Sequence, residues 1–224
     1  MKKTTARRLR RFWTGWVKPL LVVVIVVSTF RSAVADWNDV PTGSMKPSIV
    51  EGDRIFVNKL AYDLRVPFTD WRIAEWSRPA RGDVVVFFGP QDGQRMVKRI
   101  VGLPGETIEL RENVLWIDGK PARYLAAVSA VAPGRVRMRE IIDGRSHPVW
   151  FTPGVRALRT FAPVNVPADH YFVMGDNRDN SRDSRFFGTV PARLIVGRSS
   201  TVVLSLDRDA YYRPRADRFF RDIP

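Results

Sequence analysis

One feature limits this chain more than any other: an unbroken apolar run near its start, Leu20-Leu21-Val22-Val23-Val24-Ile25-Val26-Val27, continuing through Ser28 and Thr29 to Phe30. A surface loop does not carry such a run. Alone it is shorter than the ~20 residues needed to cross a bilayer, but Phe12, Trp13, Trp16 and Val17 lengthen it on one side and Ala33 and Val34 on the other. Lys18 and Arg31 sit near the two ends, where long basic side chains can reach the interface, and Trp13, Trp16 and Trp37 suit an interfacial belt. The pattern predicts a membrane-spanning helix from about Phe12 to Val34. A basic start, a short apolar core and Ala33-x-Ala35 also fit a cleavable signal peptide, and a buried core helix is a third reading. On either of the first two, positive-inside orientation sends the remainder of the chain outward.

Charge agrees with that topology. The formal net charge is +14 over 224 residues, and Lys2, Lys3, Arg7, Arg8, Arg10, Arg11 and Lys18 supply seven of those charges with no acid among them. A basic balance points first to nucleic acid or to an anionic membrane. Its concentration at one terminus, before the apolar run, favours the membrane. The chain has no cysteine, which excludes disulfides, a thiol nucleophile and thiolate metal sites. Its two histidines, His147 and His170, stand at no recognisable ligand spacing, so no metal and no cofactor is expected.

From Asp36 onward short runs rich in Val, Ile, Phe and Tyr alternate with turn residues, and helical periods are few. The reading is mainly β, with strands over 54–58, 83–88, 96–101, 107–110, 114–117, 171–174, 194–196 and 201–206. Leu103-Pro104-Gly105-Glu106 and Asp118-Gly119-Lys120 are turn signals. Between about 121 and 167 the pattern loosens into Ala, Pro and Arg clusters, as in an insertion. The expected organisation is a basic segment over 1–11, an anchor over 12–35, a β domain over 36–120 and 168–210, an inserted subdomain or β-ribbon over 121–167, and a tail over 211–224. Tyr211-Tyr212-Arg213-Pro214-Arg215 and Phe219-Phe220-Arg221 make that tail either solvated or a membrane-surface contact.

Three segments carry chemistry. In Pro41-Thr42-Gly43-Ser44-Met45-Lys46-Pro47 the prolines and glycine make a rigid, non-helical bend that can present the Ser44 hydroxyl and free backbone N–H groups. A nucleophile beside an oxyanion hole needs those features, and so does a plain turn. In Met96-Val97-Lys98-Arg99-Ile100-Val101 a lysine stands inside an apolar strand, sharing one face with Met96 and Ile100. Burial there would lower its pKa far enough for a neutral amine to take a serine proton; otherwise Lys98 is a strand-edge charge with its amine in water. In Gly175-Asp176-Asn177-Arg178-Asp179-Asn180-Ser181-Arg182-Asp183-Ser184-Arg185-Phe186-Phe187-Gly188 the acids and amides suggest a calcium loop, but the arginines interrupt it and the closing bidentate acid is missing. A tight loop held by ion pairs and side-chain-to-backbone bonds is expected instead.

Taken in this order, the three segments resemble the boxes of type I signal peptidases. So do Gly52-Asp53, Asn58-Lys59 and the run Arg81-Gly82-Asp83-Val84-Val85-Val86-Phe87. The resemblance covers about 40–105 and 171–190 well and the stretch between them poorly. It implies an antiparallel β-sheet catalytic domain and a membrane-bound serine endopeptidase that removes signal peptides from exported precursors after an Ala-x-Ala type site. It further implies Ser44 as nucleophile, Lys98 as general base, and the Ser44 backbone N–H with the Thr42 hydroxyl as oxyanion donors. Ser181 would orient the lysine amine, with Asp183 paired to Arg185, and Arg99 paired to Asp176 as scaffold. Val40, Pro41, Met45, Ile49, Met96 and Val97 would line shallow pockets for small side chains.

Its partners would be exported precursors and the lipid bilayer, with no nucleic acid. It would sit in the plasma (inner) membrane as a single-pass protein, with the N-terminus cytoplasmic and the catalytic domain on the periplasmic or extracellular side. Two departures from the family are visible: one apparent membrane segment where some Gram-negative members have two, and a short stretch in place of the larger accessory domain. Competing readings are a specialised relative maturing pilin or conjugation proteins, a Ser-Lys self-cleaving repressor-like protease, and a membrane-tethered basic binding module. The anchor argues against the repressor, and the module leaves the Ser44, Lys98 and Ser181 set unexplained.

Overall fold

A computed structural model describes residues 11–69, 71–126 and 134–224. The basic start therefore lies outside the described residues except for Arg11. A helix runs over Trp13–Ala33, opening with a π-helical turn (Trp13–Val17) and continuing as an α-helix (Lys18–Ala33). It is long and apolar enough to cross a membrane, with a mean hydropathy of 1.7, and none of that window is buried against the rest of the protein. The Lys59 ammonium closes its C-terminal end, donating to the carbonyls of Arg31 (2.7 Å) and Ser32 (3.1 Å), where a cation also meets the negative end of the helix dipole. Ala33 is buried and Ala35 begins a sheet strand opposite Asn58, so the Ala33-x-Ala35 motif straddles the helix end and the fold.

The rest is a curled antiparallel sheet. Its strands run, in spatial order, Ala35–Asp39, Asp53–Asn58, Ile195–Asp207, Val84–Phe88, Arg95–Gly102, His170–Met174 and Val190–Pro191. Every strand predicted from the sequence is present, and 194–196 with 201–206 merge into one strand of 13 residues. The run Val84-Val85-Val86-Phe87 lacks polar alternation because both of its faces are covered. Val84 and Val86 pack with Met45, Ile49, Ile55 and Val57, whereas Val85 and Phe87 pack with Ile100, Tyr171 and Val173.

Two boundaries differ from expectation. The strands Thr107–Arg111, Val114–Ile117 and Lys120–Pro121 form a separate four-stranded sheet with Phe161–Asn165, so the looser stretch returns to the strands before it. Within that stretch Arg123–Ala126, Val136–Ile142 and Arg145–Phe151 make a three-stranded ribbon. The C-terminal residues are no solvated tail: Arg213–Pro214 and Arg221–Asp222 pair with the long strand. Between them the buried Arg218 guanidinium binds the fully buried Asp53 carboxylate at 2.6 and 3.0 Å. The aromatic and basic look of that segment hid one arginine with a buried partner 165 residues away.

Candidate active site

Ser44 lies in a single 3-10 turn, Gly43–Met45, entered from an extended Thr42 (φ −129°, ψ 155°). Met45 and Ile49 are fully buried beneath it, so the apolar cluster fixes the turn from below while Ser44 remains partly accessible. Lys98 arrives on the strand Arg95–Gly102, where register sets it opposite Val85 and sets Arg99 opposite Val84. Its Nζ lies 2.8 Å from Ser44 Oγ and donates to the Val97 carbonyl at 3.0 Å. Only 4% of Lys98 is exposed, and among the described residues no carboxylate is within ion-pair distance of its amine. Burial lowers its pKa from 10.5 to about 8, with the Arg185 charge adding slightly, against partial opposition from Asp183 and Asp176.

The segment 175–188 closes around this pair. Asn177 donates from its backbone to the Ser44 carbonyl (3.0 Å) and from Nδ2 to the Gly43 carbonyl (2.9 Å). A Cβ on Gly175 would collide with that same Ser44 carbonyl oxygen and with Ser181 Oγ, which accounts for glycine there. Asp183 accepts from Gly175 N at 3.0 Å and from both sides of the Arg185 guanidinium at 2.8 Å, and it caps the short helix Ser184–Phe187. Burial alone would raise the Asp183 carboxyl, but the Arg185 bonds and charge hold it below its ordinary value. Ser181 Oγ is buried and makes no well-formed hydrogen bond, although it is near enough to Asp183 to help hold that carboxyl low. It makes no hydrogen bond to the Lys98 amine.

Arg99, on the opposite face, binds the Asp176 carboxylate with two 2.8 Å bonds, and Ser48 Oγ donates to the same carboxylate at 2.5 Å. Burial of Asp176 is again more than offset, by the Arg99 charge and these bonds, so its pKa is lowered. A cleft of about 330 Å³ opens over Ser44 and Lys98, with Val40, Pro41, Met45, Met96 and Val97 among its walls. Ile49 is not among them; it is completely buried behind the cleft. Thr42 is exposed on the cleft wall, and Arg95, Asn180 and Arg182 complete the rim.

A serine hydroxyl within hydrogen-bond reach of a buried, unpaired lysine amine can be activated as a nucleophile. The family model for signal peptidase, peptidase S26, matches residues 13–204. The chain belongs to the signal peptidase family. Signal peptidase I of Pseudomonas aeruginosa is 36% identical over 202 residues, spanning 84% of this chain and 71% of that protein. Signal peptidase I P of Bacillus subtilis subsp. natto is 34% identical over 195 residues, spanning 86% and 90% respectively. Signal peptidase I of Bacillus amyloliquefaciens is 31% identical over 202 residues, 90% of each chain. This family member is accordingly a serine endopeptidase of the kind that removes signal peptides.

Sequence reasoning assigned no role to Ser48 or Asn177. Ser48 is one of many serines near prolines, with nothing local to announce a carboxylate 128 residues away. Asn177 stood inside a quoted motif, but its bonds to Gly43 and Ser44 needed the tertiary structure to become visible.

Proposed function

We propose that this signal peptidase cleaves exported precursors through Ser44 as nucleophile and Lys98 as general base. The observation that carries the reading is the 2.8 Å approach of a buried, carboxylate-free amine to the Ser44 hydroxyl. With a pKa of about 8, about a tenth of Lys98 is neutral at pH 7, against about three in ten thousand at the ordinary 10.5. The neutral amine takes the hydroxyl proton as Ser44 Oγ attacks the scissile carbonyl. It then gives that proton to the departing amine, leaving an ester on Ser44 that a water, deprotonated by the same lysine, hydrolyses. The Ser44 N–H and the Thr42 hydroxyl stabilise the oxyanion. Ser181, Asp183 and Arg185 hold the lysine's surroundings, and Arg99 with Asp176 braces its strand.

The strand Arg95–Gly102 pairs with His170–Met174 only from Arg99 onward, so its edge over Arg95–Lys98 is unpaired beside the cleft. An extended substrate can add to that edge, with residues at −1 and −3 facing Val40, Met45, Met96 and Val97. Those walls suit side chains as small as alanine.

The basic start stays cytoplasmic, the helix Trp13–Ala33 spans the plasma (inner) membrane, and the sheet domain lies on the far side. The hairpin Asp63–Arg65/Arg72–Glu75 supports this placement. Phe68, Trp71 and Ile73 are exposed on it, and Phe68 N donates to Ser32 Oγ (2.7 Å) at the end of the helix, so apolar side chains collect where the bilayer surface would be.

Cleavage of a secretory precursor with an Ala-x-Ala site in vesicles tests the reading. Ser44→Ala and Lys98→Ala should each reduce the rate by at least about 10³-fold. Retention of the parent rate by Lys98→Ala would end the assignment.

A further inference from the structure

The ribbon Arg123–Ala126, Val136–Ile142 and Arg145–Phe151 places a carboxylate in the interior. Glu140 is fully buried and binds the Arg178 guanidinium through two 2.5 Å bonds. The Tyr124 hydroxyl donates to the same carboxylate, and His147 Nε2 lies 3.0 Å from it. Tyr124, Glu140 and His147 all belong to the ribbon. Arg178 belongs to the segment that embraces Ser44.

The residues between Asp176 and Asp179 are gripped from both sides. On the ribbon side Trp150 N donates to the Asp176 carbonyl (2.8 Å), Glu140 holds Arg178, and Thr152 N donates to the Asp179 carboxylate (2.7 Å). On the other side Asn177 holds the carbonyls of Gly43 and Ser44. Arg178 Nε also donates to the Gly175 carbonyl at 3.2 Å, which ties the Glu140 contact to the tightly packed glycine behind Ser44. A covalently remote ribbon is thereby linked to the nucleophile's backbone through two residues, Arg178 and Asn177.

We propose that Glu140 is a positioning residue for the reaction: through Arg178 and Asn177 it fixes the turn that aims the Ser44 hydroxyl. The inference rests on the Ser44–Lys98 reading and adds to it a role for the ribbon. A buried arginine–carboxylate pair can be exchanged for apolar residues of similar volume without loss of stability, whereas removing one partner alone is costly. That asymmetry separates a positioning role from a structural one. In the apolar exchange Glu140→Leu/Arg178→Met the core is refilled but the bonds of Arg178 to Gly175 and Glu140 are gone, so the Ser44 turn loses its brace.

The test uses the full chain in detergent and a fluorogenic peptide with alanine at −1 and −3. Thermal unfolding is followed in parallel, so that only variants folded at the assay temperature are compared. Glu140→Leu/Arg178→Met strands the Tyr124 hydroxyl and His147 Nε2 and should unfold below the parent temperature, and in its folded form it should lose about tenfold or more in kcat with KM little changed, since small misplacements of a nucleophile are costly. Glu140→Asp, which keeps the charge, should recover part of that loss. A kcat within twofold of the parent in the folded double variant would overturn the proposal, as would a rise in KM with kcat unchanged. If the double variant does not fold, Glu140→Gln decides on the same criteria, because it keeps the side-chain volume and one acceptor for Arg178 and removes the charge that holds it. Ser44→Ala, run alongside, separates the two failures: activity in that variant refutes the nucleophile and the premise of the ribbon's role with it, whereas an inactive Ser44→Ala beside a fully active double variant refutes the ribbon's role alone.

Discussion

Lys98 and Arg99 are consecutive residues on one strand, 4% and 2% exposed, and they end in opposite electrostatic states. Arg99 meets a carboxylate with two bonds of 2.8 Å and a third ligand, Ser48, on the same acid. Lys98 meets a serine hydroxyl and a backbone carbonyl, and its nearest carboxylates act only through their fields. Burial penalises both charges alike. On the Arg99 face a partner offsets the penalty and the ion pair becomes a fixed strut; on the Lys98 face the penalty stands, and it appears as an amine that gives up its proton near pH 8. One strand thus carries a brace and a base, and the difference lies in where Asp176 sits. Arginine is also suited to the first role by its planar fork, and lysine to the second by the ease with which its pKa moves.

The largest effect that would test this contrast is on the brace. Asp176→Ala leaves Arg99 charged, buried and without its carboxylate, and should cost about 3–5 kcal/mol of stability. A loss under about 1 kcal/mol in denaturant titration would mean that Arg99 is not the buried strut described. The converse change, Lys98→Met, should stabilise. A fall from 10.5 to about 8 means that the folded protein resists protonation of Lys98, at a cost of about 3 kcal/mol wherever both states carry the proton. That cost is present in full below pH 8 and disappears as pH rises to 10.5, because only the unfolded chain still binds the proton in between. The variant should therefore be inactive, more stable than the parent at pH 6–7, and nearly equal to it above pH 10. Equal stability at pH 6 would show that water reaches the amine.

How far the chain could be read without its structure follows from the same two residues. Period-2 alternation separated the faces of Lys98 and Arg99, and the apolar run Leu20–Val27 announced a helix, because both signals are local. The β-strands were legible for that reason too, down to the continuous Val84–Phe87 run. What stayed hidden was long-range pairing. Nothing near Glu140 predicts Arg178, nothing near Arg218 predicts Asp53, and the ribbon's loose composition concealed a fully buried acid. Ile49, assigned to the cleft by resemblance, is packed beneath it, since its neighbours Val57 and Val84 come from strands whose order sequence does not give. Ser181 follows the same rule. Its place in the loop was visible, but its distance from the lysine depended on how Asp183 and Gly175 close around it.

The smallest effect is the most direct measure of the unpaired state. If Lys98 must be neutral to accept the Ser44 proton, log kcat/KM should rise with slope one per pH unit below about pH 8 and level off above it. The step from pH 6 to pH 7 is then about tenfold, or about 1.4 kcal/mol. The direction follows from the sign of the shift: burial disfavours the ammonium, so the active amine appears near pH 8 and not near the 10.5 of an exposed lysine. Removing the two acids that oppose this should move the limb further. Asp183 and Asp176 both favour the charged form through their fields, so Asp183→Asn, if it folds, should shift the limb to lower pH and lift the rate at pH 6 relative to its plateau. A limb that moves upward instead would mean that loss of the Arg185 partner re-hydrates the site. In that event the lysine's low pKa depends on Asp183 for dryness, and the two faces of the strand are less independent than their bonding suggests.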